Sequence, residues 1–298
     1  MQNHASTLAA EFKLDAARVA ATVALIDEGN TIPFIARYRK EATGSMDDQT
    51  LRALDERLSY LRKLDDQKET VHNSITEQGA MTPEIAAALE KAKTLAEVED
   101  IYRPYKPKRK TRASIARARG LEPLAARLLE QRPEDEPALL ARQYITEEVP
   151  DTEAALAGAR DILAEGFSDS ANLRATLRSL YNATALVESK AAKKDTDSVY
   201  SGYYDYSEPA AKMAGHRILA VDRGEREGFL KVSVTVDAAR AVRLLTERTV
   251  KNDSPSAEQV RAAAEDAYVR LIHPSLEREV RAGLTERACE GAISVFSK

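Results

Sequence analysis

The sequence predicts a mainly α protein, an elongated multi-helix scaffold with one small antiparallel β element around residues 185–237. Three observations support this fold class. Gly and Pro are scarce in 298 residues, at 12 and 11, while Ala, Leu, Glu, Arg and Lys dominate, a composition that favours helices. Capping residues and leucines recur at helical spacing through most of the chain. The segment GFLKVSVTVD alternates apolar and polar residues and is the clearest strand.

The first two predicted helices form a closely connected pair. One covers about 14–28 and ends at Gly29, and the second is PFIARYRKE. Two helices joined by a tight turn indicate either a helix-turn-helix or an ordinary packing unit. The second helix places three cations beside Tyr38, and we take these cations as candidate nucleic-acid contacts. They are Arg37, Arg39 and Lys40.

Three further helices are expected before residue 105. Ser45 is the predicted N-cap of a long helix that runs towards Gly79, with a leucine stripe on one side. Because the stripe fades after about two heptads, it predicts an intramolecular core rather than a coiled coil. Thr82 caps the next helix, and a capping box that starts at Thr94 begins a short helix ending before Pro104.

Helical signals continue to about residue 184. The segment SIARARG predicts a helix that Gly120 closes. Asp151 is the expected cap of a helix ending at Gly166, and Ser168 is the expected cap of the helix after it.

The β element and the last helices complete the predicted order. ALVESK is the best candidate to pair with the strand GFLKVSVTVD. Helices then resume at about Ala238 and Ser254, and Pro274 starts the last one. We expect a helical region over 1–184 that includes the helix pair and the basic segment, a β-containing segment over 185–240, and C-terminal helices over 241–298.

The last helix is still apolar where the sequence stops. We therefore expect a truncated chain whose final helix exposes an apolar strip. The apolar residues concerned are Ile293, Val295 and Phe296.

Composition also bears on compartment. The chain has 43% hydrophobic and 31% charged residues, an ordinary globular balance. The single cysteine, Cys289, is expected to be buried and suits a reducing environment. There is no signal-peptide pattern, and the run ARVAATVALI is too short to cross a bilayer. We expect a cytoplasmic protein with no membrane partner.

The strongest functional signal is the basic strip, IYRPYKPKRKTRASIARARG at 101–120. It has eight Lys or Arg and no acid in a chain of net charge −4. Cations release counterions from phosphates and aromatic rings stack on bases, so the strip predicts nucleic-acid contact. The alternative is a strip that pairs with the acidic stretch 132–170, which has ten Asp or Glu against three Arg. The candidate contacts are Arg103, Lys106, Lys108, Arg109, Lys110, Arg112, Arg117 and Arg119, with Tyr102 and Tyr105 as stacking or packing residues.

Several stretches together resemble the N-terminal half of Tex, the bacterial transcription accessory protein family. Their order and spacing cover nearly the whole chain, with a departure at Met213-Ala214-Gly215, where the family usually has a proline nearby. The stretches are GNTIPFIARYRKEATG (29–44), EDIYRPYKPKRKTRASIARARGLEPLA (99–125), ARDILAEGFSD (159–169), YDYSEP (204–209), HRILAVDRGEREGFLKV (216–232) and DAYVRLIHPSLEREVRAGL (266–284).

The resemblance implies a mostly helical scaffold region of a cytoplasmic protein that binds RNA and DNA and is associated with transcription. It also implies that this chain stops before a YqgF domain of ribonuclease-H-like fold, helix-hairpin-helix elements and an RNA-binding OB-fold. That OB-fold is expected to supply much of the family's nucleic-acid affinity.

No catalytic, cofactor or metal pattern is found in the sequence. It has no phosphate loop, no HExxH and no paired cysteines, and its four histidines lie far apart. His216-Arg217 and Arg223-Gly224-Glu225 fall within the family resemblance, and a structural hydrogen-bond or ion-pair role is favoured over contact with a ligand. We predict a protein that is not an enzyme and uses neither a cofactor nor a metal.

Two functions are open at this point. The first is a nucleic-acid-binding scaffold that contacts RNA or DNA weakly and in a salt-sensitive way. The second is a docking platform for a protein partner such as RNA polymerase or the ribosome, with nucleic acid bound by other domains. Cations converging on an open groove would favour the first, and cations paired with acids of 132–170 would favour the second.

Overall fold

The computed structural model describes residues 4–106, 110–193 and 198–296, with side chains as far as residue 288. About 71% of the residues are helical and the described strands form a small antiparallel sheet, which confirms the predicted mainly α fold class. The candidate contacts Lys108 and Arg109 lie outside the described residues. The side chain of Cys289 and the predicted apolar strip of the last helix also lie outside them.

The chain divides into two compact units, Met1–Tyr102 and Arg103–Lys298. The predicted domain boundaries at 184 and 240 stay predictions. Among the described residues, no helix is long and apolar enough to cross a membrane.

The first unit is a helical bundle arranged on the 30-residue helix α5. The leucines of α5 are buried and pack against the helices before it, as the stripe predicted. The helices of this unit are α1 (His4–Phe12), α2 (Ala16–Asp27), α3 (Ile32–Tyr38), α4 (Lys40–Thr43), α5 (Asp48–Glu77), α6 (Pro83–Lys91) and α7 (Leu95–Tyr102).

The start of α5 corrects one prediction. Asp47, not Ser45, is its N-cap, and Oδ1 of Asp47 accepts a hydrogen bond from the Thr50 amide at 2.6 Å. Ser45 instead has a positive φ of 63° in the turn after α4. The predicted caps Thr82 and Thr94 are confirmed, since each hydroxyl accepts from the amide three residues later.

The second unit is arranged around α11, which packs against α8, α9, α10 and α15. A short 3-10 turn, Arg103–Tyr105, begins the unit, and a π-helical segment, Ala267–Ile272, joins its last two helices. The helices are α8 (Arg112–Ala118), α9 (Glu122–Glu130), α10 (Pro137–Arg142), α11 (Thr152–Asp169), α12 (Ala171–Thr184), α13 (Gly215–Arg226), α14 (Ala238–Thr249), α15 (Ala257–Asp266) and α16 (His273–Phe296).

The junction of α11 and α12 differs from the prediction. α11 continues through Gly166 to Asp169, because its neighbours bury most of one face and stabilise a glycine that would weaken an isolated helix. The next cap is Ser170, not Ser168, and the Ser170 hydroxyl accepts from the Leu173 amide at 3.4 Å. Ser168 is buried inside α11 and donates to the carbonyl of Glu165 at 3.0 Å.

The sheet has the order β2-β1-β3, with all neighbours antiparallel. Its strands are β1 (Leu186–Ala191), β2 (Asp205–Pro209) and β3 (Leu230–Thr235). The predicted pairing of ALVESK with GFLKVSVTVD is confirmed as β1 with β3, in which Val187 lies opposite Val234. The strand β2 was not predicted.

Two residues of the 216–232 stretch, Arg217 and Glu225, have structural contacts. Arg217 donates to both carboxylate oxygens of Glu208 on β2, at 2.9 and 2.7 Å. Glu225 accepts from the Val232 amide at 3.2 Å and from Arg281 of α16 at 2.6 Å. These contacts connect α13 with the sheet and the last helix.

Candidate nucleic-acid interface

The second half of the basic strip is built into α8. Thr111 caps this helix, since its hydroxyl accepts from the Ser114 amide at 3.0 Å and the Ser114 hydroxyl accepts from the Thr111 amide at 2.8 Å. Ala113 and Ala116 are buried and belong to the core cluster that contains α11. The small residues let α8 lie close to α11, and this brings the cations of α8 near the acids of α11.

Arg117 is held by an acid from α11. Its Nη1 atom donates to Oε1 of Glu165 at 2.7 Å, and its Nε donates to Glu122 at 3.3 Å. The other oxygen of Glu165 accepts from the Thr111 hydroxyl at 2.9 Å, and Glu165 is only 8% exposed. Burial acts to lower the pKa of Arg117, but the bond and charge of Glu165 outweigh it and raise that pKa. The charge of Arg117 is therefore already compensated by acids of the protein.

Two other cations of the strip, Arg112 at the start of α8 and Arg119 directly after it, lie near acids of the 132–170 stretch. Nε of Arg119 is 3.8 Å from Oε2 of Glu148, and both side chains are exposed. Arg112 is exposed and close enough to Asp161 for its charge, with that of Arg270, to oppose the burial that raises the pKa of Asp161. The internal pairing considered as an alternative thus occurs at the α8 end of the strip.

The middle of the strip is more open. Lys110 is exposed and forms no ion pair with any residue that the structure describes. Lys106 lines an open cleft of about 500 Å³ together with Arg117 and two acids of α11, Glu165 and Asp169. Because cations and acids share this cleft, it is not a uniformly cationic groove.

The residues at the start of the strip are largely packed. Tyr102, at the end of α7, is half-buried in the first unit, and its hydroxyl is 3.0 Å from the Ser74 hydroxyl of α5. Arg103 is half-buried, and its buried Nε has no hydrogen-bond partner among the described residues. Tyr105 is half-buried in the 3-10 turn. These positions favour the packing role for Tyr102.

Two exposed aromatic rings of α3 lie in the sequence segment that also contains three exposed cations. Phe34 is 37% exposed and Tyr38 is 61% exposed, while Ile35 between them is fully buried. The ring centroids of Phe34 and Tyr38 are 5.2 Å apart, and Cζ of Arg39 lies 5.5 Å from the Phe34 centroid. Arg37, Arg39 and Lys40 are exposed, and in the described part of the chain none of them forms an ion pair.

A further exposed cation, Arg18, lies beside Gly44, at the end of the helix that begins with Lys40. Gly44 ends α4 with a φ of +67°, and a Cβ atom there would lie 2.4 Å from Cδ of Arg18. The exposed side chain of Arg18 therefore lies across Gly44. We call this surface the α3 patch, and its members are Arg18, Phe34, Arg37, Tyr38, Arg39 and Lys40.

The sequence indicated the cations Arg37, Arg39 and Lys40 but not Phe34 or Arg18. The missed signal for Phe34 was its spacing of four residues from Tyr38, which places the two rings on one helix face. α2 and α3 are consecutive, and α3 has seven residues. DNA reading by this pair stays a prediction. Within the described ranges, no group of three or more His, Cys, Asp or Glu is placed to bind a metal ion.

Comparison with known proteins agrees with the resemblance in the sequence. A family model described as Tex central region-like matches residues 132–296, and one described as Tex-like protein N-terminal domain matches residues 2–76. The chain belongs to the Tex family. Protein tex of Bordetella pertussis is 47% identical over 78% of this chain and 30% of its own length.

Other relatives match nearly the whole chain. Transcriptional accessory protein Tex of Neisseria gonorrhoeae is 41% identical over 98% of this chain and 39% of its own length. S1 RNA-binding domain-containing protein 1 of Pongo abelii is 31% identical over 93% of this chain and 29% of its own length. The chain spans about 30–40% of the length of these curated relatives.

Proposed function

We propose that this Tex-family chain is a non-catalytic scaffold region that binds nucleic acid through sequence-independent contacts with phosphates. The observation that carries the proposal is the α3 patch. Its cations are exposed and form no ion pair with any described residue, although the chain as a whole has 48 acids against 44 Lys and Arg. An exposed cation without an internal partner can neutralise a phosphate and release its counterion at little cost to the fold.

The basic strip contributes unequally to this function. Arg117 would have to leave Glu165 before it could contact a phosphate, and Arg119 and Arg112 are partly compensated by acids nearby. Lys110 has no such partner among the described residues. We therefore assign the main phosphate contacts to Lys110 in the second unit and to the cations of the α3 patch in the first.

The names of the relatives support the same role. One is a transcriptional accessory protein and another is an S1 RNA-binding domain-containing protein. Because those proteins are much longer than this chain, RNA polymerase or ribosome docking belongs to the alternative function, in which nucleic acid is bound elsewhere.

The test is a salt series with a fluorescently labelled single-stranded RNA and the full chain. If about four phosphates are neutralised, the log–log slope of affinity against salt is about −3, with a dissociation constant in the micromolar range or weaker at physiological salt. Replacing Arg37 and Lys40 by alanine is expected to flatten this slope by about 1.5. The matched control replaces Arg240 and Arg261, exposed cations of α14 and α15, and should leave the slope unchanged.

Other results reject the proposal. Equal flattening in both double variants would mean that only net charge matters, and salt-independent association would exclude phosphate contacts. The docking alternative would replace the proposal if the chain bound RNA polymerase or ribosomes and the variant without Arg37 and Lys40 bound them equally well.

A further inference from the structure

We propose that the α3 patch is a stacking platform for unpaired bases, so that the chain selects single-stranded over duplex nucleic acid. This inference rests on the proposed function and adds to it the class of ligand. Its basis is the pair of aromatic rings at the surface rather than the cations around them.

Tyr38 has no structural task in the described part of the fold. Other tyrosines anchor their hydroxyls inside the protein, such as Tyr102 on Ser74 and Tyr206 on Glu208. Tyr38 is 61% exposed and has no described hydrogen bond, and its described ring contact is with Phe34. Exposing a large ring in this way is typical of binding surfaces, where an aromatic side chain supplies apolar area on contact.

The two rings differ in what covers them. Arg39 lies over Phe34 at 5.5 Å, so Phe34 already has a cationic neighbour and is the more enclosed ring. Tyr38 meets Phe34 at an interplanar angle of 45°, so Phe34 supports Tyr38 without stacking flat on it. A base can therefore reach the Tyr38 ring while Phe34 holds that ring in position.

The surrounding charges fit the backbone of the same ligand. Cζ of Arg39 lies 5.5 Å from the centroid of the Phe34 ring, and Arg37 is three residues after Phe34, which places it on the same face of α3. Lys40 follows as an exposed cation, and Arg18 lies across Gly44 at the end of α4. Phosphates adjacent to a stacked base would meet these cations. Stacking platforms next to cations are the usual means of binding single strands, and they tolerate many sequences because every base has a π face.

Duplexes and acidic peptides fit the patch less well. Bases in a duplex are already stacked on each other, so a duplex offers the patch phosphates alone. An acidic peptide would use the cations but would give the exposed ring of Tyr38 no partner. The single strand uses both parts of the surface.

The experiment compares three labelled probes with the full chain: a 12-nucleotide oligouridylate, an abasic strand of the same length, and a 12-base-pair duplex. We expect the oligouridylate to bind most tightly. Tyr38→Ala should weaken oligouridylate binding about fivefold to a hundredfold and leave the abasic strand unchanged, since one base stack is lost. Tyr38→Phe should retain binding, and Leu139→Ala, which trims an exposed apolar side chain of α10, should have no effect.

The outcomes separate this inference from the proposed function. If the variant without Arg37 and Lys40 binds weakly but Tyr38→Ala binds normally, the phosphate contacts stand and the stacking platform is rejected. An equal loss on oligouridylate and abasic strand also rejects it. If no probe binds in a salt-sensitive manner, both proposals fail. If an oligoglutamate of matched charge displaces the oligouridylate as well as unlabelled oligouridylate does, the patch binds acidic protein segments instead, and the inference is overturned.

Discussion

Arg117 and Glu165 form an ion pair of 2.7 Å between α8 and α11, although Arg117 belongs to a 20-residue sequence segment that contains no acid. The helices place the two residues together across 48 positions of sequence. The charge of a local segment is therefore not the charge of the surface that it forms. Glu165 and Glu148 pair with cations at the C-terminal end of this strip, whereas Lys110 has no ion pair with any described residue.

The pair gives the first prediction. Glu165→Gln keeps the side-chain shape and an acceptor for Thr111 but removes the negative charge from Arg117. We expect the free energy of unfolding to fall by about 1–2 kcal/mol, because a charged hydrogen bond in a partly buried site is lost. The salt slope of RNA binding should steepen by about 0.7, because Arg117 becomes available to a phosphate.

Urea unfolding and the salt series measure these two effects. Glu122→Gln is the control, since Glu122 contacts the same guanidinium but is 65% exposed in its side chain. That variant should change stability by less than about 0.5 kcal/mol. An unchanged slope in Glu165→Gln would show that Arg117 does not reach a phosphate even when it is free.

Much of the helical order was predictable because helix signals are local. The caps Thr82, Thr94 and Asp151 act on amides three residues later, so the sequence around each one contains the whole signal. The predicted end of α11 at Gly166 was wrong because the sequence around this glycine suggests a helix end. Packing of α11 against four other helices overrides that local preference, and no nearby residue reports this packing.

The two glycines of α11 give the second prediction. A Cβ atom at Gly158 would lie 2.4 Å from Cδ1 of Leu121, whereas a Cβ atom at Gly166 would meet nothing within 4 Å. Gly158→Ala should therefore destabilise the protein by about 1–3 kcal/mol through overpacking. Gly166→Ala should stabilise it by about 0.5–1 kcal/mol, because alanine loses less backbone entropy in a helix.

Each variant serves as the other's control, since both change glycine to alanine in one helix. Thermal and urea unfolding measure the difference. If Gly166→Ala were destabilising, the helix would have to end near that residue, as its sequence suggests.

The candidate site was only partly predictable for the same physical reason. Cations on α3 and in the strip are visible as sequence composition. Which of them remain available depends on acids such as Glu148 and Glu165, which long-range packing brings near. The contact of Arg18 with Gly44 also joins residues of different helices, and no periodicity within either segment reveals it.

The third prediction concerns acid stability. Hydrogen bonds from Tyr206 and then Arg217 lower the pKa of Glu208 below its usual 4.5. A carboxylate whose pKa is lower in the folded state stabilises the fold above the unfolded pKa, and this contribution is lost as pH falls through the folded value. The thermal unfolding temperature of the protein should therefore decrease as the pH is lowered below about 4.5. The variant Glu208→Gln should unfold at a lower temperature than the unmodified chain at pH 7, but its unfolding temperature should decrease less on acidification.

Thermal unfolding followed from pH 7 to pH 3 measures the two curves. Glu247→Gln, which changes an exposed glutamate of α14, is the control and should follow the unmodified chain throughout. Parallel curves for Glu208→Gln and the unmodified chain would contradict the assignment, because they would mean that the carboxylate does not titrate differently on folding.

The last prediction connects backbone geometry with the α3 patch. Gly44 and Gly79 both have a φ of +67°, so alanine is strained at either position. Each substitution should lower the free energy of unfolding by about 1–2 kcal/mol.

Only Gly44→Ala also displaces Arg18, because a Cβ atom at Gly79 would meet nothing within 4 Å. Gly44→Ala should therefore flatten the salt slope of RNA binding by about 0.7, the share of one phosphate contact, while Gly79→Ala leaves it unchanged. Arg18→Ala should reproduce the change in slope without the loss of stability. Equal binding by the two glycine variants, measured where both are folded, would remove Arg18 from the patch.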